Sequence, residues 1–287
     1  MADVSTGLAG PAAPDRVLAL LATAEDADGV SPVSEQGVLA VRRQAAGVRH
    51  LWVADGTDLH GYAQVDDAGS AELVVHPGHR RLGTGRALLD SLPDDVAVWA
   101  HGDLPGAQGL ARSAGMRVTR ELWRMARPLA GVAAAAPEPP AGVGVRTFEP
   151  GRDEEAWVSL NARAFADHPE QGRLGVADLR ARMDEPWFDP SLLWFAHEAG
   201  SPDTLLASMW VKVVPGEEAG EIYALGVDPA AQGRGTGRWL TALALAELAA
   251  RGLDRVDLYV DGDNTAAVRT YQRAGFDRVT LDVQYRR

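Results

Sequence analysis

The chain of 287 residues has no cysteine, which excludes disulfides and thiolate metal ligands. Lysine occurs once, as Lys212, and asparagine twice, as Asn161 and Asn264, so basic charge is almost entirely arginine. Even that is in deficit. A formal net charge of −12 excludes a nonspecific nucleic-acid binder, which needs basic surface to replace phosphate counterions. No apolar run approaches the roughly 18 residues of a membrane span. The start, Met1-Ala-Asp-Val-Ser5, has neither the basic residues nor the apolar core of a signal peptide, so the cytoplasm is the expected location. The seven histidines show no metal-ligand spacing, and no metal is expected. What is present, 46% hydrophobic and 24% charged residues, suits a soluble globular protein with room for two cores.

In so acidic a chain, an anionic ligand must be held by local features. One stretch supplies them: Gly226-Val-Asp-Pro-Ala-Ala-Gln232-Gly-Arg-Gly235-Thr-Gly237-Arg-Trp-Leu240. An apolar strand, Ile222 to Val227, runs through Asp-Pro into alternating glycines and then a long Ala/Leu helix. Glycine lets the backbone approach a ligand and take positive φ, and the first helical amides have no intrahelical acceptor. The pattern predicts a pyrophosphate cradle. It is not the nucleotide-triphosphate loop, because Arg238 and Trp239 stand where Lys-Ser/Thr would follow. Nor does it fit the dinucleotide fingerprint, whose third glycine lies one residue further on.

The layout occurs twice. Val75-His-Pro77-Gly-His-Arg80-Arg-Leu-Gly83-Thr-Gly85-Arg repeats it, with Arg80 at the place of Gln232 and Gly83 and Gly85 at those of Gly235 and Gly237. Helix, strand and turn patterns also recur in the same order on either side of the Ala/Pro/Gly-rich segment Ala130 to Gly144. Both halves carry Glu-Gln after their first helix, as Glu35-Gln36 and Glu170-Gln171. We therefore expect a duplicated α/β chain, with a mixed sheet flanked by helices in each half. The expected divisions are a first domain over 1–130, a linker over 131–144 and a second domain over 145–287. Residues 1–14, small and rich in Pro and Gly, read as mobile.

Gln-x-x-Gly-x-Gly entered from Asp-Pro, followed by Asn264-x-x-Ala267-x-x-x-Tyr271-x-x-x-Gly275-Phe276, resembles the two acetyl-CoA motifs of the GCN5-related N-acetyltransferases (GNAT). The resemblance implies two tandem GNAT-type acyl-CoA N-acyltransferase domains and an acetyl-CoA-dependent transfer to an amine. It assigns the cofactor to Leu225, Gly226, Val227, Gln232, Gly233, Arg234, Gly235, Thr236, Gly237 and Arg238, and to Asn264, Thr265, Ala266, Ala267, Val268 and Arg269. In the first half the matching positions are Leu73, Val74, Val75, Arg81, Leu82, Gly83, Thr84, Gly85 and Arg86. Tyr271 is expected to protonate the departing thiolate. Glu221 is expected to take the proton of the attacking amine, with Tyr223, Leu225 and Val227 on its face of the strand by alternation. A backbone amide near Leu225 to Val227 is expected at a bulge.

Overlaying the halves puts Glu221 on Gly69, Tyr271 on Ala111 and Asn264 on Leu104, so the first domain is expected to be catalytically degenerate. The motifs Pro32-Val-Ser-Glu-Gln36, Trp187-Phe-Asp-Pro190 and Leu258-Tyr-Val-Asp-Gly-Asp-Asn264 resemble tandem family members acting on a thiol-bearing pseudodisaccharide, cysteinyl-glucosaminyl-inositol. That likeness implies Glu35, Glu170, Lys212, Glu221 and Tyr259 as acceptor-binding residues in a monomeric enzyme without nucleic-acid or membrane partners. An aminoglycoside or peptide amine as acceptor, or a noncatalytic acetyl-CoA sensor, are the other readings of the same motifs.

Overall fold

The computed structural model describes residues 3–166, 168 and 171–287. The chain forms two compact units. Unit 1 comprises Met1–Trp123, Asp261–Asp263 and Thr280–Arg287, and unit 2 comprises Arg124–Val260 and Asn264–Val279. The C-terminal strand end thus belongs to unit 1.

In unit 1 the elements are β1 (Ser5–Thr6), α1 (Pro14–Asp28), α2 (Glu35–Arg43), β2 (Val48–Asp55), β3 (Asp58–Asp66), β4 (Ser70–Val75), α3 (Thr84–Asp90), β5 (Ala97–Ala100), α4 (Pro105–Ser113) and the first part of β6 (Arg117–Pro128). Strands β1 to β4 follow one another as antiparallel neighbours, and β4 then pairs with β5 in parallel. Alternation along β3 and β4 sends Tyr62 and Val74 into a core under α1 and α2, while Ala63 and Ala71 join Leu88 and Leu89 of α3 on the other face. The N-terminal residues do not behave as their composition predicts. Ser5 and Thr6 pair with β2, the Trp52 indole donates to the Gly7 carbonyl at 3.0 Å, and Ala12 is fully buried. Packing of Ala12 against α1 overrides the mobility expected of a Pro/Gly-rich start.

Unit 2 begins in the last part of β6 and continues through β7 (Val143–Thr147), α5 (Glu154–Ala164), α6 (Val176–Met183), β8 (Leu193–Glu198), β9 (Ser201–Val213), β10 (Ala219–Val227), α7 (Thr236–Ala250), β11 (Arg255–Asp261) and α8 (Thr265–Arg273). The final strand, β12 (Asp277–Arg286), ends in unit 1, where Val283 to Tyr285 pair with β5. In unit 2 the strand order is β6-β11-β10-β9-β8-β7, with β10 antiparallel to β9 and parallel to β11. One face buries Trp157, Leu160, Leu179, Trp187 and Trp210 beneath α5 and α6. On the other lies α7, whose Leu248 stands so close to Gly220 that a Cβ there would come within 2.5 Å. The Pro-rich segment between the halves is fastened to this helix, since the Trp239 indole donates to the Pro137 carbonyl at 3.0 Å.

Candidate active site

Strands β10 and β11 run in parallel only as far as Ile222 opposite Leu258, whereas β10 stays paired with β9 to Val227 opposite Ala207. The two parallel strands part beyond Ile222. Helix α7 starts from the carboxyl end of one and α8 from that of the other, which places a crevice at the strand ends where α/β sheets bind ligands.

The register of β10 against β9 shifts between Ile222 and Ala224, so Tyr223 is an inserted residue. Such a bulge reverses which face each later side chain takes. Before it, Gly220 faces Leu248 of α7; after it, Gly226 faces Ala164 and Phe165 at the end of α5. The alternation expected from sequence therefore fails past Tyr223. Glu221 points away from α7, while Leu225 and Val227 turn toward the start of α7, where a Cβ on Gly237 would meet Val227 Cγ2 at 3.3 Å. The inserted residue thus lets one strand serve the anion cradle on one face and present Glu221 on the other.

The cradle has the predicted geometry. The Asp228 side chain accepts from the Ala230 amide, Gly233 and Gly235 hold φ of 77° and 80°, and Gly235 caps α7 without a side chain of its own. Gln232 to Gly235 are exposed. The first amides of α7 therefore lack both an intrahelical partner and a side-chain cap, and lie behind this exposed loop at the positive end of the helix dipole. Glycine is favoured at both positions because a left-handed backbone costs an L-residue about 1–2 kcal/mol. Arg234 is half exposed and pairs with Glu198 at 3.3 Å, a surface contact worth at most about 1 kcal/mol. These features fit the pyrophosphate of acetyl-CoA.

Helix α8 carries the second motif. The Asn264 side chain accepts from the Ala267 amide at 3.1 Å, and Gly275 ends the turn with φ of 87°. Val268 and Tyr271 face inward, the Tyr271 ring lying edge-on to Phe276 with centroids 5.7 Å apart. Burial pushes the Tyr271 phenol up to about 12, because the phenolate would be poorly solvated.

Glu221 sits opposite Lys212 of β9 and Asp257 of β11. Opposed residues share a sheet face, and Tyr259, two residues after Asp257, shares it too. The structure thus sets Lys212 beside Glu221, with Tyr259 on the same face just past the last pair of β10 with β11. Lys212 is no plain surface charge: its Nζ lies 4.8 Å from the Trp187 ring centroid and 5.6 Å from that of Tyr223, whose hydroxyl accepts from Arg182 at 2.7 Å. Tyr259 is 48% exposed, so it lines this face rather than filling a core. Glu35 is the first residue of α2, in unit 1, and Glu170 lies outside the described residues.

Unit 1 holds the first cradle, lining a cavity of about 650 Å³ with Leu73, Val75, Arg81, Gly83, Gly85 and Arg86 among its walls. Two departures mark it. Arg81 takes the left-handed conformation (φ 65°) that Gly233 takes in unit 2, and Arg80 is tied to Asp28 by two hydrogen bonds of 2.7 Å. Strand β4 also pairs with β3 without a bulge, from Ala71 to Val75. The inserted Tyr223 therefore moves the counterpart of Glu221 from Gly69 to Ser70, again not a carboxylate. Leu104 precedes α4 as Asn264 precedes α8, without capping it, and Ala111 is buried at the place of Tyr271.

Sequence comparison of the halves missed a carboxylate and an imidazole in unit 1. Glu72 is buried and bonded to the Ser34 amide at 2.6 Å and to Gln64 Nε2 at 2.7 Å, while His101 bridges Glu72 and Asp282 at 2.9 and 3.0 Å. Burial opposes charge on His101, but hydrogen bonds and charges from Asp282 and Glu72 prevail and raise it to about 10. Burial likewise opposes ionisation of Glu72, and His101, Ser34 and Gln64 overcome it and lower its pKa. An imidazole that stays protonated at neutral pH and a carboxylate with its lone pairs engaged are poor proton acceptors. Neither had a signal in the repeat, because neither has a counterpart in unit 2.

Residues 156–276 match the Acetyltransferase (GNAT) family. The chain is 52% identical to a mycothiol acetyltransferase of Thermobispora bispora, covering 96% of this chain and 97% of that protein. It is also 52% identical to one of Cellulomonas flavigena, over 97% and 87%. Among solved structures, a GCN5-related N-acetyltransferase from Sphaerobacter thermophilus superposes with a TM-score of 0.69 at 26% identity, over 99% of this chain and 95% of that one. A tandem GNAT protein from the clavulanic acid biosynthesis pathway reaches 0.71 at 18% identity, over 99% and 98%, and shares the fold.

Proposed function

Because the chain belongs to the mycothiol acetyltransferases of the GNAT family, we propose that unit 2 moves the acetyl group of acetyl-CoA to the cysteinyl amine of cysteinyl-glucosaminyl-inositol. The amine nitrogen bonds to the acetyl carbon, the carbon–sulfur bond breaks, and CoA leaves with N-acetylcysteinyl-glucosaminyl-inositol, mycothiol, as the other product. The observation that carries the residue assignment is the bulge at Tyr223, which separates the cradle from Glu221 on opposite faces of one strand.

In this reading the amides at the start of α7 hold the pyrophosphate, with Gln232 to Arg238, Leu225 to Val227 and Asn264 to Arg269 around it. A backbone amide beyond the bulge polarises the thioester carbonyl. Glu221 accepts the ammonium proton, directly or through water, and neighbouring Lys212 and Tyr259 bind the acceptor. Glu35 and Glu170 are assigned to the acceptor by resemblance alone. Tyr271 is neutral at physiological pH, as a donor must be. Full proton transfer from a phenol near 12 to a thiolate of ordinary pKa about 8.5 is uphill by roughly 3 units. The phenol therefore acts chiefly as a hydrogen-bond donor to sulfur as charge develops there. Glu221 takes one proton from the ammonium before attack, the second leaves the nitrogen to water after it, and the thiolate departs hydrogen-bonded to Tyr271 and takes its proton from water, with no metal taking part. The first cradle binds acetyl-CoA without turning it over, and the enzyme works as a monomer in the cytoplasm.

The test is steady-state kinetics of Tyr271→Phe and Glu221→Gln. Each should lower kcat by about 100-fold or more, the usual worth of a positioned acid or base, with the acetyl-CoA KM within a few-fold of wild type. Near-normal kcat in Tyr271→Phe would make that side chain a packing residue and remove it from the mechanism.

A further inference from the structure

Outside both cradles, three potential metal ligands meet in unit 1. Asp58 and His60 stand two apart on β3, His60 being the residue inserted where Val53 pairs with Gly61 and Ala54 with Leu59, and His79 ends the short turn Pro77–His79 that leads into the first cradle. The turn is fastened to the strand, the His76 amide donating to the His60 carbonyl at 2.9 Å. The His60 and His79 rings consequently stack, with centroids 3.7 Å apart and 14° between planes. Their Nε2 atoms lie 3.4 and 3.2 Å from the same oxygen, Asp58 Oδ2.

We propose that Asp58, His60 and His79 bind one divalent transition-metal ion, of which zinc is the best match. Four ligands at about 2.0–2.1 Å around tetrahedral zinc are separated from one another by roughly 3.3–3.4 Å, and both nitrogen–oxygen separations here are close to that edge. Two imidazoles with one carboxylate favour zinc, nickel or cobalt over magnesium or calcium, which prefer oxygen donors throughout. An ion would replace the proton on each Nε2 and requires the rings to open so that each lone pair meets it. The side chains of His60 and His79 are 21% and 25% exposed, which leaves room for that movement and for a water as fourth ligand.

Two ligands lie on a strand and one in the turn before Arg80 to Gly83. The ion would therefore clamp the approach to the first cradle without touching the proposed chemistry. The spacing of the three residues, with eighteen positions between His60 and His79, hid the cluster from sequence.

The experiment is a zinc titration of tag-free, chelator-treated full-length protein by calorimetry, with cobalt absorption as a report of coordination geometry. One equivalent should bind with micromolar affinity, give the visible band of tetrahedral cobalt, and slow amide exchange across residues 76–83. His79→Ala and Asp58→Asn should each weaken binding at least about tenfold, the least expected when outer partners of a metal cost 10–100-fold, with acetyl transfer unchanged. No saturable binding, or binding equally tight in His79→Ala, would overturn the proposal.

Discussion

Lys212 shows how one side chain takes its meaning from its neighbours. As the only lysine it carries a compact, fixed charge, and its Nζ is held over the faces of Trp187 and Tyr223 while its backbone pairs with Glu221. A cation over aromatic faces gains about 0.5–2 kcal/mol, which holds the ammonium in place on the sheet face it shares with Glu221. Substituting Lys212→Met keeps the length of the stem and removes the charge. Its KM for the pseudodisaccharide should rise several-fold to tenfold or more with the acetyl-CoA KM unchanged, as measured by varying each substrate in turn. A parallel rise in both constants would place Lys212 in general packing instead. His101 is a second such residue, but a structural one. Its folded pKa of about 10 stands above the ordinary 6.5, so its contribution to stability is complete below about pH 6.5 and is lost as pH rises through 10. Thermal unfolding followed between these pH values should show an alkaline decline that His101→Asn flattens while lowering Tm at neutral pH. An identical decline in the variant would assign the loss to other groups.

At the scale of the element, the cradle and the bulge differ in how visible they are. Glycine at alternate positions after Asp-Pro has a local cause, positive φ, so the cradle and its helix are legible from Gly226 to Leu240. The same holds for Asn264 as a cap and for most strand and helix positions. A bulge in β10 is expected from the family resemblance alone; its place at Tyr223 depends on how β10 meets β9, a long-range pairing with no signature in the sequence of β10 itself, and it overturns the face assigned to Leu225 and Val227. Burial of Ala12 and the Glu72–His101–Asp282 group were hidden for the same reason, since their partners lie far off in the chain. The local rule can be tested directly. Gly235→Ala meets no steric obstacle within 4 Å, so any effect is backbone strain at φ 80°. About 1–2 kcal/mol of strain should raise the acetyl-CoA KM by roughly 5- to 30-fold. Gly83→Ala, at φ 93° in the first cradle, should leave kcat and both KM values within about twofold in the same assay, because turnover is assigned to unit 2.

For the whole molecule, duplication explains both what is repeated and what is not. Each unit keeps the parallel strand pair, the glycine cradle and the helix after it, because these form the core as well as the ligand site. Only unit 2 has the inserted Tyr223, the Asn264 cap, Tyr271 and the Glu221–Lys212 pair. Unit 1 has instead a buried network around a protonated His101 and a cradle whose Arg80 is engaged by Asp28. The compact units follow the packing rather than the repeat, since Thr280–Arg287 sits in unit 1, and composition of the Pro-rich segment gave no sign of that crossing. The central claim, that the chain acetylates a cysteinyl amine, is tested most directly by CoA release from acetyl-CoA with cysteinyl-glucosaminyl-inositol and with glucosaminyl-inositol, which lacks that amine. Turnover with the first and not the second is the predicted result; equal turnover with both, or none with either while acetyl-CoA still binds, would contradict it.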